Sequence, residues 1–228
     1  MTPAAPADTR TRIVREAMQL FWEKGYQSTS MADLFARAGI NAGSLYHFFP
    51  GKQDVLVAVL AAYRDGIGPM LLEPAWADVA DPIERVFALL ARYRELIVQT
   101  ECTYGCPIGS IALELHEPDP AVRELLAANF AAWAAAVERQ FDAAAERFPP
   151  GTDRRALAEF ALTTMEGAVM LTRTHRDVRY FDRAIAQLRV HATGLVTRPP
   201  ERRAAARATA ARPPAGSAAA IPPARSRR

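Results

Sequence analysis

A chain of 228 residues with a formal net charge of +3, half apolar and 23% charged, has the composition of a soluble globular protein and room for one domain or two small ones. No run of 18 apolar residues is free of charge, and Met1 to Ala7 carry neither a basic cluster nor an apolar run, so neither a membrane span nor a signal peptide is expected. Two cysteines make no disulfide framework, which leaves a reducing cytoplasm as the expected setting.

The first helix is expected over about Thr9 to Lys24, where Ile13, Ala17, Leu20 and Phe21 share one face and Gly25 supplies the stop. A short helix starts near Ser30, with Ser30 and Asp33 resembling a capping box, and ends at Gly39. A second short helix covers about Ala42 to Phe49 and is stopped by Pro50-Gly51. A longer one begins at Lys52 and is expected to fade near Gly66, Gly68 and Pro69.

Asp81-Pro82 is a cap followed by proline at the first helical position, and Glu84 completes a capping box for a helix reaching about Gln99. After the loop Thr100 to Cys106, Pro107 opens a short helix to about His116. Asp119-Pro120 starts the longest helix, in which Val122, Leu126, Phe130, Trp133, Val137 and Phe141 recur at helical steps until Pro149-Pro150-Gly151. Helices over about Asp153 to Thr174 and Tyr180 to Val196 close the body. No alternating strand and no long repeat interrupts them, so the fold class is all-α.

The remaining segment, 198–228, carries eight arginines and one acid, Glu201, for a charge of +7, which leaves the body before it at −4. Composed of Ala, Pro and Arg, it is expected to be disordered. Since the basicity belongs to this tail, a nucleic-acid reading must rest on a local element instead.

Residues 30 to 49 supply one: two short helices joined by Gly39-Ile40-Asn41 behind a first helix, the layout of a helix-turn-helix. On its second helix Asn41 and Ser44 can address base edges, and Ala42 and Gly43 allow close approach. Tyr46, His47 and Lys52 offer phosphate donors, as do the hydroxyls of Thr29 and Ser30 at a helix N-terminus. An ordinary helical hairpin has the same spacing.

Ala17, Leu20, Phe21, Gly25, Tyr26, Thr29, Ser30, Ala38, Gly39 and, above all, Gly43-Ser44-Leu45-Tyr46-His47-Phe48-Phe49 with Lys52 carry a resemblance. Over residues 10 to 56 the chain resembles the DNA-binding domain of TetR-family transcriptional repressors. The resemblance implies that Tyr46, His47 and Lys52 contact phosphates and that 41 to 44 face the bases. Ala42, and Ala32 before it, are short where relatives carry longer polar or basic side chains. Direct readout therefore rests on Asn41, Ser44 and DNA shape.

The resemblance also implies two folded regions, a helix-turn-helix domain over 1–56 and a helical ligand-binding and dimerisation domain over 57–197, ahead of the tail 198–228. Gly105-Cys106-Pro107-Ile108-Gly109 with Ala112-Leu113-Glu114, and Met165-Glu166-Gly167-Ala168 with Leu171, resemble the branch whose members answer small organic molecules. Tyr93, Cys106, Phe130, Trp133, Met165 and Glu166 are the expected pocket residues. The aromatics and Met165 also read as plain core, and Glu166 reads either as solvent-facing or as a polar anchor. Phe160, Ala161, Thr164 and Ala168, with Phe181, Ile185 and Leu188, are expected to form the interface of a homodimer that presents two reading heads to one operator.

Cys106 precedes Pro107 at a helix N-cap, where the dipole favours a thiolate, and Cys102 stands four residues before it. A reactive sensor and a small packing residue are both open readings. No enzyme motif appears. Glu114 and His116 are two residues apart, not at the Glu-x-x-His spacing of a di-iron site, and Cys102, Cys106 and His116 match no zinc pattern. No cofactor and no metal are expected. The expected function is a DNA-binding repressor released by a small organic effector, with a ligand-free regulator of the same fold as the alternative and a helical-bundle enzyme as the remote one.

Overall fold

The computed structural model describes residues 6–196, and among them every regular element is helical. The segment 198–228 lies outside the described residues. The helices are α1 (Pro6–Lys24), α2 (Met31–Ala38), α3 (Ala42–Phe48), α4 (Lys52–Ile67), α5 (Glu73–Trp76), α6 (Pro82–Gln99), α7 (Pro107–Glu114), α8 (Pro120–Ala143), α9 (Arg154–His175) and α10 (Arg179–Gly194).

Local chemistry sets most boundaries. Ser30 accepts from Asp33 N while the Asp33 carboxylate accepts from Ser30 N, closing the expected capping box, and Gly39 ends α2 at φ 62°, in the left-handed region. Asp119 caps α8 through Ala121 N at 2.9 Å, and Asp153 caps α9 through Ala156 N at 2.9 Å.

Two expectations fail. The helix from Lys52 does not fade at Gly66–Pro69. Gly68–Leu72 form a single π-helical turn, which absorbs Pro69, and the chain runs on helically to Trp76. Packing outweighs the local breakers: Leu72 is buried in the body, and Trp76 Nε1 donates to Arg85 O at 2.8 Å. This run of 25 residues is apolar enough by composition to cross a membrane, but its most apolar stretch, Val55 to Leu60, is largely packed inside the protein. Nor does Glu84 close a capping box. Asp81 caps α6 alone, and Glu84 reaches Arg189 on α10 at 2.7 Å.

The hydrophobic interior is two clusters. One joins Ile13, Leu20, Phe21 and Leu34 of the first two helices, and Phe49 just past α3, to Val55, Leu56 and Leu60 of α4, and runs on into Ile108 and Ile111 of α7 and Val122 and Leu126 of α8. The other holds α6, the rest of α8, α9 and α10, with Phe87, Phe141, Met165, Phe181 and Leu188 among its residues. Fully burying one such side chain is worth roughly 1.5–3 kcal/mol, so Ile108 and Ile111 contribute directly to holding α7 against the head.

Candidate functional site

On the head, α3 presents its N-terminal face outward. Asn41 Oδ1 accepts from Ser44 N at 2.8 Å, so Asn41 caps the helix with its oxygen and keeps both amide hydrogens for an external acceptor. Ala42, Gly43, Tyr46 and His47 are exposed and Ser44 is half-buried, a smooth surface edged by one phenol and one imidazole. α2 crosses behind it, held to α1 by buried Leu34 and Ala38 and by the pairing of Arg37 with Glu23 and Glu16.

Three expected phosphate donors are occupied elsewhere. Thr29 is buried, and its hydroxyl donates to Gly25 O at 2.7 Å. The Ser30 hydroxyl donates to Asp33 at 2.6 Å, and the Asp33 carboxylate, held well below its ordinary pKa by Ser30 and Lys24, already fills the anion position at the start of α2. Lys52 turns inward. Its ammonium donates to the carbonyls of Tyr26 (3.0 Å), Gln27 (3.3 Å) and Thr29 (3.0 Å) and lies 4.4 Å from the centre of the Tyr26 ring. All three of its protons are spent closing the α1–α2 loop, so Lys52 positions the head and leaves phosphate contact to other groups.

Between head and body lies a cavity of about 590 Å³, within the range that takes a drug-sized molecule. Of the expected pocket residues, Tyr93, Cys106, Phe130, Trp133 and Glu166 line it. Met165 does not; fully buried on α9, it faces the body core instead. The sequence reading missed the walls given by α1, α4 and the π-helical turn: Met18, Trp22, Tyr63, Met70 and Leu71. A signal for the first existed, because Arg15, Met18, Gln19 and Trp22 follow one another at helical spacing on α1, apart from the stripe that packs the head.

Glu166 is the charged group inside. It is largely buried and lines the cavity, so the solvent-facing reading is set aside. Its Oε1 is buried and meets no donor among the described residues. Its other oxygen packs onto Gly109, the α7 residue where a Cβ would collide with the carboxylate. Burial raises its pKa above the ordinary 4.5, against a hydrogen bond from the Cys106 thiol that acts the other way. Trp133 Nε1 is a second orphan, a buried donor beside the Tyr93 hydroxyl without a well-formed bond.

Cys106 is the N-cap of α7, as expected, with Sγ accepting from Gly109 N at 3.5 Å. The thiolate expectation is overturned. Burial first, then the neighbouring Glu166 carboxylate, push the thiol well above its ordinary value, which outweighs the helix terminus. Cys102 is also buried and free, and it packs in the other cluster.

α7 spans from this cavity to the head. At its start, Gly105 O accepts from Trp22 Nε1 of α1 at 2.8 Å, and the rings of Trp22 and Tyr104 lie 4.8 Å apart. At its end, the Glu114 carboxylate accepts from Gln27 N at 2.8 Å and packs against Gly25, whose φ of 86° needs glycine.

The expected dimer residues divide. Ala161, Ala168, Phe181 and Leu188 are buried within the single chain, where they pack α9 and α10 onto each other and onto the body. They cannot meet a second copy, because their surface is already consumed. Thr164 and Ile185 are half-buried. Phe160 is 46% exposed, and with exposed Met170, Leu171 and Val190 it marks an outward apolar face on the same two helices.

Comparison with known proteins agrees with this geometry. Residues 13–59 match the family model of bacterial regulatory proteins of the tetR family, and residues 82–188 match the tetracyclin repressor-like C-terminal domain. An uncharacterised HTH-type transcriptional regulator of Mycobacterium tuberculosis is 34% identical over 187 residues, covering 79% of this chain and 92% of that protein. The HTH-type transcriptional repressor DhaR of Mycobacterium sp. strain GP1 is 25% identical over 178 residues, covering 76% and 86%. In structure, a TetR-family transcriptional regulator of Cytophaga hutchinsonii superposes with a TM-score of 0.74 at 21% identity, over 87% of this chain and all of that one.

Proposed function

The chain belongs to the TetR family of bacterial regulatory proteins, and on that premise we propose that it is a cytoplasmic, homodimeric repressor released from its operator by a small organic molecule. DNA-binding transcriptional regulation is common to its relatives; the repressor role, the dimer and the release are our reading. The observation that carries it is the shared wall of the cavity. Trp22 and Met18 of the head face Glu166 and Trp133 of the body across one space, and α7 touches both.

The proposed reading surface is α3, with Asn41 and Ser44 toward base edges, Ala42 and Gly43 at close approach, and Tyr46 and His47 toward phosphates. Two copies joined through the outward faces of α9 and α10 would set two heads on half-sites about 34–36 Å apart. A molecule that fills the cavity displaces Trp22, Tyr104 or the start of α7, and Glu114 transmits the shift to the α1–α2 loop. A tenfold loss of operator affinity needs only about 1.4 kcal/mol of differential binding.

Selection of duplexes from a random pool tests the reading. An inverted repeat bound by two copies is expected. A single unrepeated site, or a monomeric complex, overturns it.

A further inference from the structure

The cavity holds a carboxylate without a counter-charge among the described residues. Glu166 forms no ion pair among the described residues, and its Oε1 meets no donor. Arg15 is the one basic residue on the described walls, but it sits at the rim, its side chain 71% exposed and paired with Glu16. Around the carboxylate the groups that titrate are the Cys106 thiol and the Tyr93 phenol, both acids that gain nothing from a second negative charge nearby.

Six aromatic rings stand among the aliphatic and methionine side chains of the remaining lining. Trp22, Tyr63, Tyr93, Tyr104, Phe130 and Trp133 turn on this one space, and ring faces attract cations and repel anions. A buried carboxylate whose hydrogen bond comes from a thiol is costly unless protonated or paired, and no cation among the described residues pairs it. A neutral ligand would leave that cost in place, and an anion would increase it.

We infer that the cavity selects an organic cation: a largely aromatic or alicyclic molecule whose ammonium meets the Glu166 carboxylate while its apolar body fills the ring-lined remainder. The inference rests on the cavity being the effector site, and it names the chemical class. Gly109 is part of the device. The absence of a side chain there lets the carboxylate lie against α7, so the anchor and the coupling helix share a contact. Charge pairing at Glu166 therefore acts on the element that also touches the head.

Three probes of one shape decide it: 1-naphthylmethylamine, 1-naphthalenemethanol and 1-naphthoate, titrated calorimetrically into the full chain at pH 7. The amine is expected to bind at least tenfold more tightly than the alcohol, and the naphthoate most weakly. In Glu166→Gln the amine and alcohol should come within threefold of each other. Gly109→Ala, which drives the carboxylate from its seat while leaving it present, should lose the preference too, with thermal melting to show that both variants fold. Equal binding of amine and alcohol to the wild type overturns the inference, and so does a tenfold preference that survives in Glu166→Gln. Operator release is read separately by gel shift. Amine binding that leaves DNA bound overturns the release mechanism and leaves the cavity's selectivity standing.

Discussion

Glu114 and Gln27 are 87 residues apart in sequence, and a 2.8 Å hydrogen bond from the Gln27 N–H to the Glu114 carboxylate joins them across the junction of body and head. The bond fixes the chain just where α1 gives way to α2, so the orientation of α2 and α3 is tied to the end of α7. Glu114→Ala should lose about 0.5–1.5 kcal/mol of stability and raise hydrogen exchange at the Gln27 amide at least tenfold. Glu114→Gln retains an acceptor and should stay within threefold. Unchanged exchange in Glu114→Ala would remove this contact from the coupling route.

Lys52 gives a second test, because its two possible roles predict different things. With three carbonyls around its ammonium, Lys52→Ala should cost on the order of 1–3 kcal/mol, seen as a lower melting temperature. The slope of log affinity against log salt should not change. A residue in contact with phosphate would instead flatten that slope by about 0.9. A flattened slope with unchanged melting would restore the phosphate role.

Helix starts were legible in the sequence because they are written in neighbouring residues: Asp81-Pro82, Asp119-Pro120 and the Ser30–Asp33 pair each carry their own geometry. Where partners come from afar, the same residues read ambiguously. A lysine bonded to three carbonyls and a lysine waiting for phosphate look alike in one dimension. Gly66 to Pro69 read as a break because propensity is local, whereas the packing of Leu72 against the body is not. On α9, Ala161 and Phe160 are adjacent, one facing the chain's own core and the other facing out. Periodicity found both stripes without saying which was already covered.

Glu166 should make stability depend on pH in a direction opposite to a paired carboxylate. Its folded pKa lies above the ordinary 4.5, so between those two values the folded protein holds more protons than the unfolded chain. Its contribution is therefore favourable at low pH and is lost as pH rises through that interval. Denaturant melts of the wild type and Glu166→Gln, run from pH 4 to pH 8, should diverge as pH increases, the variant becoming the more stable. A variant that loses stability relative to the wild type on the alkaline side would contradict the buried, unpaired carboxylate.

Cys106 should behave as an inert thiol. Buried and pushed up in pKa, it carries little thiolate at neutral pH. Iodoacetamide at pH 7.5 should modify it at least tenfold more slowly in the folded protein than in urea. Cys106→Ser should keep the wild-type response to any releasing molecule. Faster alkylation in the native state than in urea would return it to the class of sensors.

Val190 is 65% exposed on α10, next to the outward face that includes Phe160. Val190→Glu should leave helix content intact and turn the proposed dimer into a monomer by sedimentation. Leu188→Glu, two residues away, should unfold the body, because Leu188 is 2% exposed. A Val190→Glu variant that sediments as a dimer places the interface elsewhere.

The cavity sits on the seam between the two hydrophobic clusters. Cys106, Ile108 and Phe130 line it from one side, and Ile97, Trp133 and Val169 from the other. α8 supplies side chains to both clusters, so head and body share a helix as well as this cavity. A molecule bound there touches both clusters at once. By mass action it stabilises the folded chain as a whole, so the melting temperature becomes a function of ligand concentration.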